Sequence, residues 1–97
     1  MNLYTIRRRD FWDSAEALQQ TAAKSAEVGE EMAEDIRWIR TYIMQEPDGT
    51  LGTLCIYEAT SPEKIQEHAK KAELACTEIR PIADTVVVNA DPVNGGH

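Results

Sequence analysis

The apolar positions along the chain repeat with two spacings, and the order of these spacings predicts six elements. Alternation of apolar and polar residues indicates a strand, whereas apolar residues at steps of three and four indicate an amphipathic helix. In chain order, the predicted elements are a strand at Leu3–Arg9, a helix from Asp13 to about Ala33, strands at Ile36–Met44 and Gly52–Tyr57, a helix from Ser61 to about Leu74, and a last strand within Ile82–Val88. This βαββαβ order is typical of a ferredoxin-like α+β fold, in which two helices cover one face of an antiparallel four-stranded sheet.

Capping residues mark the start of both predicted helices. Asp13 precedes the first helix and Glu16 follows three residues later, which is the spacing of a capping box. Ser61 and Pro62 open the second helix with a side-chain cap and a proline in the first turn. Glu63 adds a carboxylate at the positive end of the helix dipole. The local sequence therefore predicts where each helix begins.

Length, charge and cysteine content limit the classes of protein to consider. The 97 residues suffice for one domain, which we place at residues 1–92, followed by a disordered tail at 93–97. The net charge of -7 argues against a nucleic-acid partner, because such binding depends on clustered Lys and Arg. No apolar run approaches the ~20 residues that cross a bilayer, so no membrane partner is expected. The two cysteines fit a reducing compartment, which favours the cytoplasm.

The predicted strands carry apolar residues on both faces. In the strand at Ile36–Met44, strict alternation places Trp38, Arg40 and Tyr42 on one face and a mostly apolar set on the other. A sheet that is apolar on both sides usually has both sides covered, so we predict a homodimer packed through the open sheet face. Trp38, Arg40 and Tyr42 then form a wall that binds an anionic ligand through the arginine. Alternatively, the two aromatic residues anchor the dimer interface and Arg40 pairs with an acid across it.

One histidine lies on the apolar stripe of the second predicted helix. Ile65, Ala69 and Ala72 form that stripe, and His68 falls within it. An ionisable ring on the inward face of a helix needs a hydrogen-bond acceptor, a metal or a substrate as its partner. His68 is therefore a candidate metal ligand. The alternative is a core histidine that bonds to a backbone carbonyl or to a tyrosine hydroxyl.

Two residues near the end of the third predicted strand complete the candidate ligand set. Cys55 can supply a thiolate, although burial without a neighbouring cation would leave an inert thiol, which is the interpretation we favour. Glu58 can act as a ligand, as a general base or as a hydrogen-bonded turn residue. The chain has no Gly-x-Ser-x-Gly turn and neither a Rossmann nor a Walker fingerprint. No catalytic residue is therefore predicted.

Several short segments, none of them specific alone, follow one another in a recognisable order. They are Lys24–Ser25, Asp35–Ile43, Cys55–Ala59, Pro62–Glu63 with Ile65, Glu67–Ala69 and Asp91–Pro92. As an ordered set covering about residues 3–92, they resemble a family of small bacterial nickel-binding proteins that is filed as a domain of unknown function. The resemblance implies a ferredoxin-like dimer with nickel as its metal.

Arg40 departs from this family pattern, which often has a histidine between the tryptophan and the tyrosine of the second strand. Arginine keeps its proton at any working pH and cannot ligate a metal, so a site of this kind would be lost or altered here. Three functions stay open. The first is a metal-binding homodimer that takes nickel. The second is a small-molecule enzyme of the dimeric α+β-barrel type with His68 as acid or base. The third is an interaction module without a site.

Overall fold

The computed structural model describes residues 1–76 and 78–89, and its elements follow the predicted order. They are β1 (Asn2–Trp12), α1 (Ala15–Glu31), β2 (Ile36–Gln45), β3 (Leu51–Ala59), α2 (Pro62–Lys71) and β4 (Glu78–Pro81). The strands form one antiparallel sheet in the order β2-β3-β1-β4, and both helices pack on one of its faces. The predicted ferredoxin-like fold is confirmed. The predicted tail at 93–97 lies outside the described residues.

The last strand is not where the sequence pattern predicted it. β4 spans Glu78–Pro81 and pairs with β1, whereas 82–88 lie outside any strand and their three valines are exposed. Strand propensity reflects how well a side chain packs on a half-buried pleated surface, so tertiary pairing can override it. The register places Ile79 opposite Ile6 and against the hydrophobic core. The segment with the weaker β pattern therefore forms the strand.

Helix α1 begins one residue later than predicted, and both helices end earlier. Its N-cap is Ser14, whose Oγ accepts a hydrogen bond from the backbone N–H of Ala17 at 3.1 Å. The cap predicted at Asp13 is therefore wrong. The Ser61 cap of α2 is confirmed, because its side chain accepts a hydrogen bond from the N–H of Lys64. In the described part of the chain, neither helix is long and apolar enough to cross a membrane.

A β-bulge in β2 changes which side chains share a face. The pairing with β3 shifts between Trp38 and Arg40, so Ile39 is an extra residue in the ladder. After the bulge, Thr41 lies on the same side as Trp38 and faces the helices. Arg40 and Tyr42 face the other side of the sheet. The prediction that Trp38, Arg40 and Tyr42 share one face is therefore wrong, because strict alternation holds only for an unbroken ladder.

The hydrophobic core lies between the sheet and the two helices. Its largest fully buried side chains are Ile6, Ile36 and Ile65, one each from β1, β2 and α2. On the opposite face, Leu54 and Ile56 of β3 are only half-buried. We call the first side of the sheet the helix side and the second the open face. Side chains on the helix side are enclosed between the sheet and the helices, and side chains on the open face are more exposed.

Candidate functional site

His68 lies on the helix side, where α2 packs against α1. Its side chain is 2% exposed, and its Nε2 lies 3.0 Å from the backbone carbonyl oxygen of Ser25. Because a carbonyl oxygen only accepts hydrogen bonds, Nε2 carries the proton and Nδ1 holds the lone pair. The ring also meets Tyr57 edge-on, with ring centroids 5.6 Å apart. The inward position agrees with the sequence pattern, and the bond to Ser25 determines the tautomer.

Burial keeps the imidazole of His68 neutral. Removal from water lowers the pKa of His68, and the hydrogen bond to Ser25 offsets part of that effect. The positive charge of Arg8 lowers the pKa further. Metals bind the neutral imidazole, because the ligating nitrogen must be free of its proton. At neutral pH the ring is therefore in the form that can bind a metal through Nδ1.

Cys55 and Glu58, the other two candidate ligands, lie on opposite sides of the sheet. Cys55 is buried on the helix side, where its Sγ accepts a hydrogen bond from the hydroxyl of Thr41 at 3.3 Å. Glu58 lies on the open face and accepts a hydrogen bond from the Arg37 guanidinium at 3.1 Å. Of the two, Cys55 is the one that shares the helix side with His68.

The described residues do not assemble these candidates into one site. Within residues 1–76 and 78–89, no group of three or more His, Cys, Asp or Glu side chains could hold a metal ion. Nickel commonly takes square-planar or tetragonal sites, which need at least four ligand atoms. Metal ligation by His68, Cys55 and Glu58 therefore stays a prediction.

The residues of the predicted anion-binding wall are divided between the two sides of the sheet. The Trp38 ring stacks on Tyr57 with centroids 5.8 Å apart, and its Nε1 donates to the hydroxyl of Thr41 at 2.6 Å. On the open face, Arg40 donates to the hydroxyl of Tyr42 at 2.9 Å. The Arg40 guanidinium also lies 5.8 Å from the centre of that tyrosine ring. Arg40 and Tyr42 therefore belong to one surface, and Trp38 belongs to the helix side.

A cavity on the helix side was missed by the sequence analysis. Its volume is about 30 Å³, enough for one or two water molecules, within about 320 Å³ of unfilled space that includes solvent at its mouth. Arg8 and Thr53 contribute polar walls, and Trp12 and Trp38 contribute aromatic walls. His68 does not line this cavity. The cavity is therefore not the pocket expected of an enzyme that uses His68 as acid or base.

One signal in the sequence could have pointed to this cavity. Alternation along β1 places Arg8 on the same side as Tyr4 and Ile6, and all three are buried. A charged side chain in register with core residues needs a partner, because an isolated charge away from water is costly. The signal for this site is therefore a charged residue that falls at a core position of a strand.

Fold and site together define a small ferredoxin-like α+β protein with a buried histidine and one open sheet face. A family model described as nickel responsive protein SCO4226-like matches residues 4–82. The chain belongs to this family. The resemblance to small nickel-associated proteins is therefore confirmed.

The crystal structure of SCO4226 from Streptomyces coelicolor A3(2) has the same fold. The TM-score is 0.69 at 16% sequence identity, and the match covers 87% of this chain and 99% of that one. Identity at this level establishes the fold and no more. A comparison with curated proteins found no match.

Proposed function

We propose that this protein binds nickel in the cytoplasm as a homodimer whose subunits pair through their open faces. The observation that carries the proposal is the match of residues 4–82 to the nickel responsive family. Two features of the structure support it. One is the protonation state of His68, and the other is the apolar character of the open face.

The hydrogen bond of His68 is of the kind that metal-binding histidines use. Such ligands usually donate their second ring N–H to a backbone carbonyl, a carboxylate or water, which orients the ring and raises its basicity. Donation from Nε2 to the Ser25 carbonyl leaves Nδ1 for a metal, and imidazole is a suitable ligand for nickel. Cys55, on the same side of the sheet, is the second ligand that we propose.

The open face has the composition of a protein interface. Tyr42 and Met44 of β2 are 45% and 37% exposed, and Tyr42 lies opposite the half-buried Leu54. Contiguous apolar surface of this kind usually marks contact with a partner. A second copy of the chain fits this surface, because an isologous interface pairs the same patch on both subunits. Glu58 lies on this face and would be shared at the subunit boundary.

Nickel binding is tested on a chain that ends at residue 92, because His97 is the second of the two histidines in the sequence. Equilibrium dialysis with elemental analysis measures nickel per subunit, and titration calorimetry measures Kd. Gln replaces His68, since its amide N–H₂ can still donate to the Ser25 carbonyl. We expect His68→Gln to lose stoichiometric nickel uptake while remaining folded.

Glu67→Gln is the matched control for this experiment. Glu67 precedes His68 on α2 and pairs on the surface with Lys64 and Lys71. This variant should take up nickel as the wild type does. Full uptake by His68→Gln would mean that the metal binds elsewhere.

The dimer is tested by sedimentation velocity on Leu54→Glu. The chain already carries a net charge of -7, so a further carboxylate on each open face should separate the subunits by repulsion and desolvation. Gln19→Glu adds the same charge to the exposed surface of α1 and should leave the dimer intact. A wild-type protein that sediments as a monomer at every concentration would contradict the proposed assembly.

A further inference from the structure

We infer that the helix-side cavity is a binding site for a small carboxylate with a short apolar body, held by Arg8 and Thr53. Neither residue is a proposed nickel ligand, but Cys55, which is one, also lines the cavity, so the inference is tested on metal-free protein. It rests on three observations within the described residues: a guanidinium without a carboxylate partner, a buried hydroxyl without a hydrogen-bond partner, and a cavity that both residues line.

Arg8 is a buried cation that lacks a counter-ion in the described chain. Its side chain is 7% exposed, and its Nε donates to the backbone carbonyl of Ala75 at 2.8 Å. Within residues 1–76 and 78–89, no Asp or Glu forms an ion pair with it. Its neighbours Arg7 and Arg9 pair with Glu46 and Glu78, respectively. Its two terminal nitrogens have no hydrogen-bond partner among the described residues, so they can bind an anion that enters the cavity.

Thr53 is a buried hydroxyl beside that cation. The residue is 3% exposed, and its Oγ1 has no hydrogen-bond partner within residues 1–76 and 78–89. In the pairing of β1 with β3, Thr53 lies directly opposite Arg8, and both residues line the cavity. Side chains of directly opposed residues on one face of a sheet are neighbours. A guanidinium and a hydroxyl in this arrangement can both donate to one carboxylate.

The remaining walls indicate what the rest of the ligand is. Trp12, Trp38, Leu18 and Leu74 present mostly apolar surface to the cavity. Arg8 is the one charged residue among those lining the cavity in the described chain. A single cation favours a singly charged ligand over phosphate, and apolar walls favour a hydrocarbon body. The volume of about 30 Å³ favours a carboxylate no larger than acetate.

Tryptophan fluorescence reports directly on this cavity. Trp12 and Trp38 both line it, and they are the two tryptophans of the sequence. The probes are formate and acetate, each compared with its neutral amide at matched ionic strength. We expect a saturable change in emission with the carboxylates and none with the amides. Absence of a saturable change with both carboxylates would overturn the inference.

Thr53→Val tests the site without changing its shape. Valine matches threonine in size and lacks the hydroxyl, so we expect carboxylate affinity to fall by about tenfold, the loss of one hydrogen bond to a charged group. Thr5→Val makes the same substitution on the other side of β1 and should bind as the wild type does. Equal affinity in Thr53→Val and wild type would overturn the assignment.

Arg8→Met should abolish carboxylate binding. If this variant does not fold, the affinity of Thr53→Val alone tests the inference.

Discussion

Arg7 and Arg8 are neighbours in β1, yet they lie on opposite sides of the sheet in different electrostatic surroundings. Arg7 is on the open face and donates two hydrogen bonds to the Glu46 carboxylate, at 3.0 and 3.2 Å. Arg8 is on the helix side and donates to the backbone carbonyl of Ala75. Successive side chains of a strand point to opposite faces, so one step along the chain separates a charge paired with a carboxylate from one that has no such partner among the described residues.

The comparison shows that the two sides of the sheet differ in which groups they leave exposed or without a partner. The open face pairs its charges within the chain, as Arg7 and Arg37 show, but leaves apolar surface exposed around Tyr42. Within the described residues, the helix side buries the core but leaves Arg8 without a carboxylate partner and the Thr53 hydroxyl without a hydrogen-bond partner. The open face therefore suits an apolar partner, and the helix side suits a small anion.

The largest expected effect comes from truncating one isoleucine on each side. Ile65→Ala removes a fully buried side chain on the helix side, so the free energy of unfolding should fall by about 2–5 kcal/mol. Ile56→Ala removes a half-buried side chain from the open face and should cost less in dilute solution. Urea unfolding at low and high protein concentration measures both. The cost of Ile56→Ala should grow with concentration if a second subunit covers it. A loss of unfolding free energy that does not change with protein concentration would argue against burial of Ile56 by a second subunit.

The second prediction concerns the pH dependence of stability that His68 causes on the helix side. Because burial lowers the pKa of His68 from 6.5, the unfolded chain binds the proton more readily than the folded chain does. The free energy of unfolding is therefore highest above pH 6.5. It declines as the pH falls from 6.5 to the lower pKa of His68 in the folded protein, and His68 causes no further change below that pKa. Urea midpoints between pH 8 and pH 5 should show this decline in the wild type, in a chain ending at residue 92. His68→Gln should be flat over this range, and an equal decline in the variant would assign the effect to other groups.

A third prediction concerns the unpartnered hydroxyl on the helix side. Thr53→Val keeps the volume of the side chain and removes a hydroxyl that has no hydrogen bond in the described part of the chain. The ligand-free protein should become more stable, by roughly 1 kcal/mol. Thermal unfolding followed by circular dichroism measures the change, with Thr5→Val as the control. A clear loss of stability would show that the Thr53 hydroxyl has a partner in solution.

The smallest expected effect is a change in stability at acid pH, caused by a carboxylate on the open face. The backbone N–H of Asp10 and the guanidinium of Arg7 hold the pKa of Glu46 below its ordinary value of 4.5. Stability from this carboxylate is present above pH 4.5 and is lost as the pH falls through the lower folded-state pKa. Glu46→Gln should therefore flatten the acid end of the stability profile. Glu78→Gln, at a largely exposed ion pair, should leave the profile unchanged.

Family motifs and local patterns predicted much of the fold and part of the site. The inward position of His68 followed from helical periodicity alone, because Ile65 and Ala69 share its stripe. Its hydrogen-bond partner did not, since Ser25 lies 43 positions away in the chain and on the other helix. The cavity beside Arg8 was not predicted either, because it depends on which strand pairs with β1.

The sequence by itself determined the order of the six elements and the Ser61 cap of α2, since both depend on residues within a few positions of each other. Only the tertiary structure decided that β4 forms at Glu78–Pro81, that Ile39 bulges out of the ladder, and that Arg8 meets Thr53. These outcomes depend on pairing between distant strands. Pairing follows the packing of whole faces, which no local pattern contains.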